Sequence, residues 1–137
     1  MNLIVRKKSL LELMPTALVW QTSFWGDMKS KLGWMALAFD IEADGNPAGD
    51  ILVLTRSAGS DISVAYAPFG PEILPEPDAR GPYLAALSEA LQAQLDPSCV
   101  FIRYDLPWLS PYAEDAAFCD ENGLWLGPPE PRLRELR

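Results

Sequence analysis

The sequence predicts an α/β (α+β) domain over residues 1–106, built on a mixed, mostly antiparallel sheet with flanking helices, and a proline-rich tail or linker over 107–137. Three observations carry this. Between Met35 and Ala67 lie three apolar segments with strand character, separated by short turn-forming runs. A leucine stripe at helical spacing follows them. A further apolar segment, residues 100–105, comes directly after that helix, which is the order of a crossover returning parallel to the sheet.

Residues 2–6 (NLIVR) read as a short strand. Residues 22–32 read as a helix, because Trp20, Phe24, Met28 and Leu32 recur every four residues and form one apolar stripe. Thr22 or Ser23 can cap its start and Gly33 can end it. The period then changes. Met35, Leu37, Phe39 and Ile41 alternate with Ala36, Ala38, Asp40 and Glu42, as in a half-buried strand. Residues 44–50 (DGNPAGD) are turn chemistry. Residues 51–55 are a continuous apolar run, expected in a central strand covered on both faces. Residues 57–60 turn the chain, and Ile62, Val64 and Tyr66 alternate again. Residues 68–82 hold five prolines and read as a loop. Pro82 suits the first helical position, where its missing N–H costs nothing. Leu84, Leu87, Leu91 and Leu95 form the stripe of the helix that follows, and Asp96-Pro97 stops it.

Composition excludes several classes of function. The 137 residues carry a net charge of −8 and no histidine. A basic footprint for nucleic acid is missing, so this chain is not expected to bind RNA or DNA directly. Without histidine there is no Ser-His-Asp triad, and the commonest metal ligand is missing. Cys99 and Cys119 lack zinc-site spacing and read as two free thiols. No metal and no cofactor is implied. Arg6, Lys7 and Lys8 precede a partly apolar stretch, but Glu12 and Pro15 interrupt it, so no signal peptide is expected. No apolar run approaches the ~20 residues of a membrane span.

Three segments hold the candidate site residues. In QTSFWGDMKSKLGW (residues 21–34), Lys29 and Lys31 are two apart on a helix and cannot share a face. In VAYAPFGPE (residues 64–72), prolines remove backbone donors and Glu72 repels phosphate, so the loop is unsuited to cradle a pyrophosphate such as that of acetyl-CoA. In FIRYDLPW (residues 101–108), Arg103 and Asp105 take one face of a strand, while Ile102 and Tyr104 take the other. The tail adds an acidic patch (Glu114, Asp115, Asp120, Glu121) and a terminal basic cluster (Arg132, Arg134, Arg137). Trp108 and Trp125 are candidates for exposed apolar surface there.

The element order resembles the first five strands of the GNAT acyltransferase fold. The three segments, in order, resemble the "LQSxxWGxxK…GW", "YxPxGP" and "flRxDP" segments of the FemABX family, closest to its lipid II glycyltransferase-like branch. The resemblance spans about the whole chain and corresponds to the first of two GNAT-like domains. It implies an aminoacyltransferase that moves an amino acid from aminoacyl-tRNA to the stem-peptide amine of a peptidoglycan precursor, either lipid II or its soluble nucleotide-linked muropeptide. It implies that this half supplies the acceptor-binding cleft, and that the tRNA is met through a second half. The family lysine that contacts the acceptor's phosphates falls on Lys29. Tyr66, Gly70, Arg103 and Asp105 fall on the other two segments as substrate-site positions, and no catalytic residue is assigned. Phe69 stands where the family often has a basic residue. The implied location is the cytoplasm, near the inner face of the membrane. The competing expectations are a non-catalytic binding module and a truncated product without activity of its own.

Overall fold

The computed structural model describes residues 1–109, 119–124 and 126. The chain divides into two compact units, Met1–Pro107 and Trp108–Arg137. The first holds five strands and two helices: β1 (Leu3–Lys8), α1 (Ser23–Ser30), β2 (Met35–Ala43), β3 (Asn46–Gly59), β4 (Ile62–Pro68), α2 (Arg80–Gln92) and β5 (Cys99–Asp105). The sheet order is β1-β2-β3-β4-β5. The first four strands pair antiparallel, and β5 pairs parallel to β4 after the α2 crossover. This is the mixed, mostly antiparallel sheet that the patterning predicts. No helix among the described residues is long and apolar enough to cross a membrane.

The central strand behaves as a run covered on both faces must. Ile51, Leu52, Val53 and Leu54 are all fully buried. One sheet face carries Val5, Phe39, Ile41, Val53, Ala65 and Ala67, and α2 lies on it through Tyr83, Leu87 and Leu91, with Leu95 just beyond the helix. The Ser88 and Tyr104 hydroxyls meet at 3.0 Å on the same side. The buried stripe therefore begins at Tyr83 rather than Leu84, which is half-buried. On β4 the buried positions are Ala65, Ala67 and Pro68, while Ile62 is 45% exposed and Val64 and Tyr66 are half-buried. The alternating phase picked out the larger residues, but the buried phase is that of the small ones.

Two expected turns are shorter than read. Asp44 and Gly45 alone reverse the chain, both with positive φ (49° and 82°), as a two-residue hairpin turn requires. From Asn46 onward the segment is already β3. Gly49, at φ 96°, sits where β3 carries an extra residue against β2, so this glycine serves a bulge and not a turn. Likewise β3 runs through Gly59, and the next reversal centres on Asp61 at φ 59°.

The largest departure concerns α1. Its apolar stripe is largely exposed: Trp20 is 37%, Phe24 68% and Leu32 60% exposed, and Met28 is half-buried. The buried residue of the helix is Gly26. A methyl there would come within 2.8 Å of Leu10 Cδ1 and 3.3 Å of Ala36 Cβ, so the helix packs backbone-close on the second sheet face. The Thr22 side chain caps it through the Trp25 N–H at 3.3 Å.

In the second unit, the Asp120 carboxylate accepts from the Asn122 and Leu124 backbone at 2.8 Å each, closing a turn with Gly123 at φ 79°. Trp108 is half-buried. Glu114, Asp115, Trp125, Arg132, Arg134 and Arg137 lie outside the described residues.

Candidate functional site

The strand registers decide which side chains meet. Tyr66 pairs with Arg103 across the parallel β4–β5 ladder, and Pro68 with Asp105. Residues two apart on a strand share a face, so Tyr66, Arg103 and Asp105 all stand on the second face of the sheet, the one α1 covers in part. The Tyr66 hydroxyl donates to Asp105 Oδ2. The Arg103 guanidinium carbon stands 5.7 Å from the centre of the Tyr66 ring, with Nε 3.4 Å from Asp105 Oδ1. Burial first, and then the hydrogen bond to Asp105, push the Tyr66 phenol up to about 12, so it stays a donor throughout the neutral range.

Lys29 lies in the last turn of α1, four residues after Trp25. Its ammonium sits 5.1 Å from the Trp25 ring centre and has no carboxylate partner among the described residues. Lys31 instead pairs with Asp27 at 3.2 Å, on exposed surface. Trp25 meets Trp20 edge-on at 6.4 Å, and Trp20 stacks on Phe69 at 4.5 Å. Phe69 has positive φ (50°), which lifts its ring out of the β4 line and onto Trp20. The position that is basic in the resembled family thus contributes a ring here.

Gly70 does not present itself to a ligand. It is buried, joined to Pro71 by a cis peptide bond, and a methyl on it would meet the Gln21 amide at 2.7–3.0 Å. Its absent side chain is the space that Gln21 occupies. Gln21 is 5% exposed and bridges two strands that have stopped pairing. Its Oε1 accepts from Leu52 N–H at 2.8 Å, and its Nε2 donates to Pro68 O at 2.7 Å and Leu52 O at 3.3 Å. The β3–β4 ladder ends at Leu54–Tyr66, so the amide replaces the next rung. Sequence reasoning missed Gln21. The available signal was its place at the head of the 21–34 segment, directly after an apolar Trp.

Two further residues join from β3 and the start of β2. The Arg56 guanidinium carbon is 5.5 Å from the Trp34 ring centre, and the Trp34 and Tyr66 rings are 6.3 Å apart. The resulting surface is open. A concavity of about 400 Å³ on this sheet face lies elsewhere, beside Lys8, Asp40 and Asp50. Its cations are already paired: Lys8 bonds Asp40 at 2.8 Å and Asp50 at 2.7 Å, and Arg6 bonds Glu42 at 2.7 Å. The candidate site can therefore hold an anionic, extended ligand by ring-supported cations, with the half-buried Asp105 as an acceptor for an amine or hydroxyl proton.

No family model, curated protein or solved structure matches this chain.

Proposed function

We propose that this chain forms the acceptor-binding half of an aminoacyl-tRNA-dependent aminoacyltransferase of the FemABX type, with a GNAT-like fold. The observation that carries the reading is the company Lys29 keeps. An ammonium without a carboxylate partner among the described residues stands on α1, over the sheet face that also presents Tyr66, Asp105 and Arg103. On this reading Lys29 takes a phosphate of lipid II or of the nucleotide-linked muropeptide, and the second face of the sheet supports the rest of the acceptor. The acceptor's neutral amine attacks the aminoacyl ester. An amide bond forms, the ester C–O bond breaks, and the tRNA hydroxyl leaves with a proton. Positioning two large substrates supplies most of such a rate. A net charge of −8 opposes contact with a polyanion, so the tRNA is held by a second domain. The reaction then takes place in the cytoplasm, at the inner face of the membrane where the lipid-linked acceptor resides.

Titration calorimetry with a nucleotide-linked muropeptide and with a water-soluble lipid II analogue tests this. Lys29→Ala is expected to bind several-fold more weakly, since a charge-assisted hydrogen bond contributes roughly 1.5–3 kcal/mol at best. Equal affinity of the variant and the parent chain overturns the reading.

A further inference from the structure

Arg56 belongs to none of the resembled segments, yet it closes the arrangement around Tyr66. Arg56 pairs with Val64 on β4, Val64 is two residues from Tyr66, and Tyr66 pairs with Arg103 on β5. The two arginines therefore share one sheet face. They are two strand spacings and a two-residue offset apart, which places their Cα atoms about 12 Å from each other. Each arginine lies over a ring of the same face. Arg56 lies over Trp34, Arg103 over Tyr66, and the two rings are 6.3 Å apart.

We propose that Arg56 and Arg103, held on Trp34 and Tyr66, form a clamp for a single carboxylate, the C-terminal carboxylate of a peptide ligand. This rests on the reading of the face as an acceptor site, and it deepens that reading by assigning the peptide end of the acceptor. A guanidinium lying on a ring keeps its N–H edge directed outward, where it matches a planar carboxylate two bonds at a time. Arg56 has no acidic partner among the described residues, and Arg103 has only the loose 3.4 Å contact to Asp105. Charge decides between oxyanions. Two guanidiniums face one carboxylate, Asp105, which leaves an excess of one positive charge. A monocarboxylate neutralises that excess. A diphosphate brings at least one further negative charge beside Asp105 and is repelled. The rings supply apolar contact for the small side chains of a peptide terminus.

The test uses the whole chain and three probes: N-acetyl-alanyl-alanine, its C-terminal amide, and inorganic diphosphate, titrated by NMR. The acid is expected to bind in the millimolar range and the amide at least fivefold more weakly. Arg56→Gln, a change at an exposed residue, is expected to weaken acid binding about tenfold and to leave amide binding unchanged. Arg56→Lys is expected to recover only part of the loss, because charge returns without the fork. No binding of the acid, equal binding of acid and amide, or tighter Arg56-dependent binding of diphosphate each overturns the clamp. Its failure is distinct from that of the acceptor reading. Loss of the clamp with Lys29-dependent precursor binding intact removes only the carboxylate assignment. Arg56-dependent peptide binding with no effect of Lys29→Ala removes the acceptor reading and leaves the clamp.

Discussion

Replacing Gln21 by alanine removes the piece that joins the turn before α1 to the middle of β3 and the end of β4. Three hydrogen bonds disappear, to Leu52 N–H, Leu52 O and Pro68 O. The Leu52 N–H belongs to a residue with no exposure, and stranding such a donor costs about 1–3 kcal/mol. The carbonyls suffer less, since each has a second lone pair. One lost methylene adds about 0.8 kcal/mol. A concavity lined in part by Thr16, Gln21, Asp50 and Glu72 lets water reach the gap and return some of this. The expected loss is about 2 kcal/mol, a fall in Tm of roughly 8–14 °C for a domain of this size. Gln21→Glu separates packing from polarity. The shape is kept, but one oxygen now faces two carbonyls where an amide donated. The folded state then holds the carboxylic proton more tightly than the unfolded chain does. The deficit is smallest below the unfolded value of about 4.3 and widens as pH rises toward the folded pKa, by up to about 1.4 kcal/mol per unit. Urea denaturation followed by far-UV circular dichroism at pH 5 and 7 measures both effects. A Gln21→Ala loss under 0.5 kcal/mol, or a Gln21→Glu deficit independent of pH, refutes the account.

Two other outcomes follow from the same geometry. Burial pulls the pKa of the Lys8 ammonium down, but hydrogen bonds and charge from Asp40 and Asp50 outweigh it and leave the pKa raised. Lys8→Met should cost about 2 kcal/mol, below the range for fully buried pairs because Asp40 is half exposed. Lys8→Met/Asp50→Asn should recover more than half of that, and simple additivity in the double-mutant cycle counts against the pairing. The Tyr66 and Tyr83 phenols are both pushed up to about 12, chiefly by burial. Their folded pKa values lie above the unfolded 10, so stability is unaffected below pH 10 and is lost as pH rises from 10 toward 12. Tyr66→Phe should remove tyrosinate absorbance from the late end of that range, and loss of amplitude near pH 10 would contradict the part-buried hydrogen bond to Asp105.

The sheet was legible because its signals are local. Period-two alternation, the run at 51–55 and the leucine spacing each lie within one element, and each element forms where they stand. What misled the reading was residue-level packing. The 44–50 run contains six good turn formers, but a hairpin needs two, and Gly49 was needed for a bulge whose position depends on the β2 partner. The α1 stripe has correct helical spacing yet is largely exposed, because backbone-close packing through Gly26 outweighs the area its larger residues could bury. For the candidate site, Arg103 and Asp105 could be placed on one face from strand periodicity alone. Gln21 could not be found that way, since hydrophobic patterning assigns a lone amide no position. Arg56 joins Tyr66 only through the register of three strands, which no single segment encodes.

The acidic residues of this chain outnumber the basic ones by 19 to 11, so carboxylates are not scarce. Arg6 and Lys31 each take one and Lys8 takes two, at 2.7–3.2 Å. Lys29 and Arg56 lie on rings with no carboxylate partner among the described residues, and Arg103 lies on a ring with only a loose 3.4 Å contact to Asp105, all three on one side of the sheet. A ring holds a cation in place without neutralising it, since the quadrupole attracts the charge but leaves the outward N–H groups unsatisfied except by solvent. A carboxylate neighbour would hold it equally well and cancel its field. The distinction matters for an open surface that lacks an enclosing cavity. There, an anion can be retained only if the cations are already in position and still charged. The tie from Gln21 to Pro68 fixes the chain beside Phe69, on which Trp20 stacks, and Trp20 meets the Trp25 ring that carries Lys29. The buried amide and the half-buried cation are thus ends of one contact chain. A change at Gln21 too mild to unfold the domain should therefore still be felt at Lys29 before it is felt at Lys8, which is anchored separately through β1 and β2.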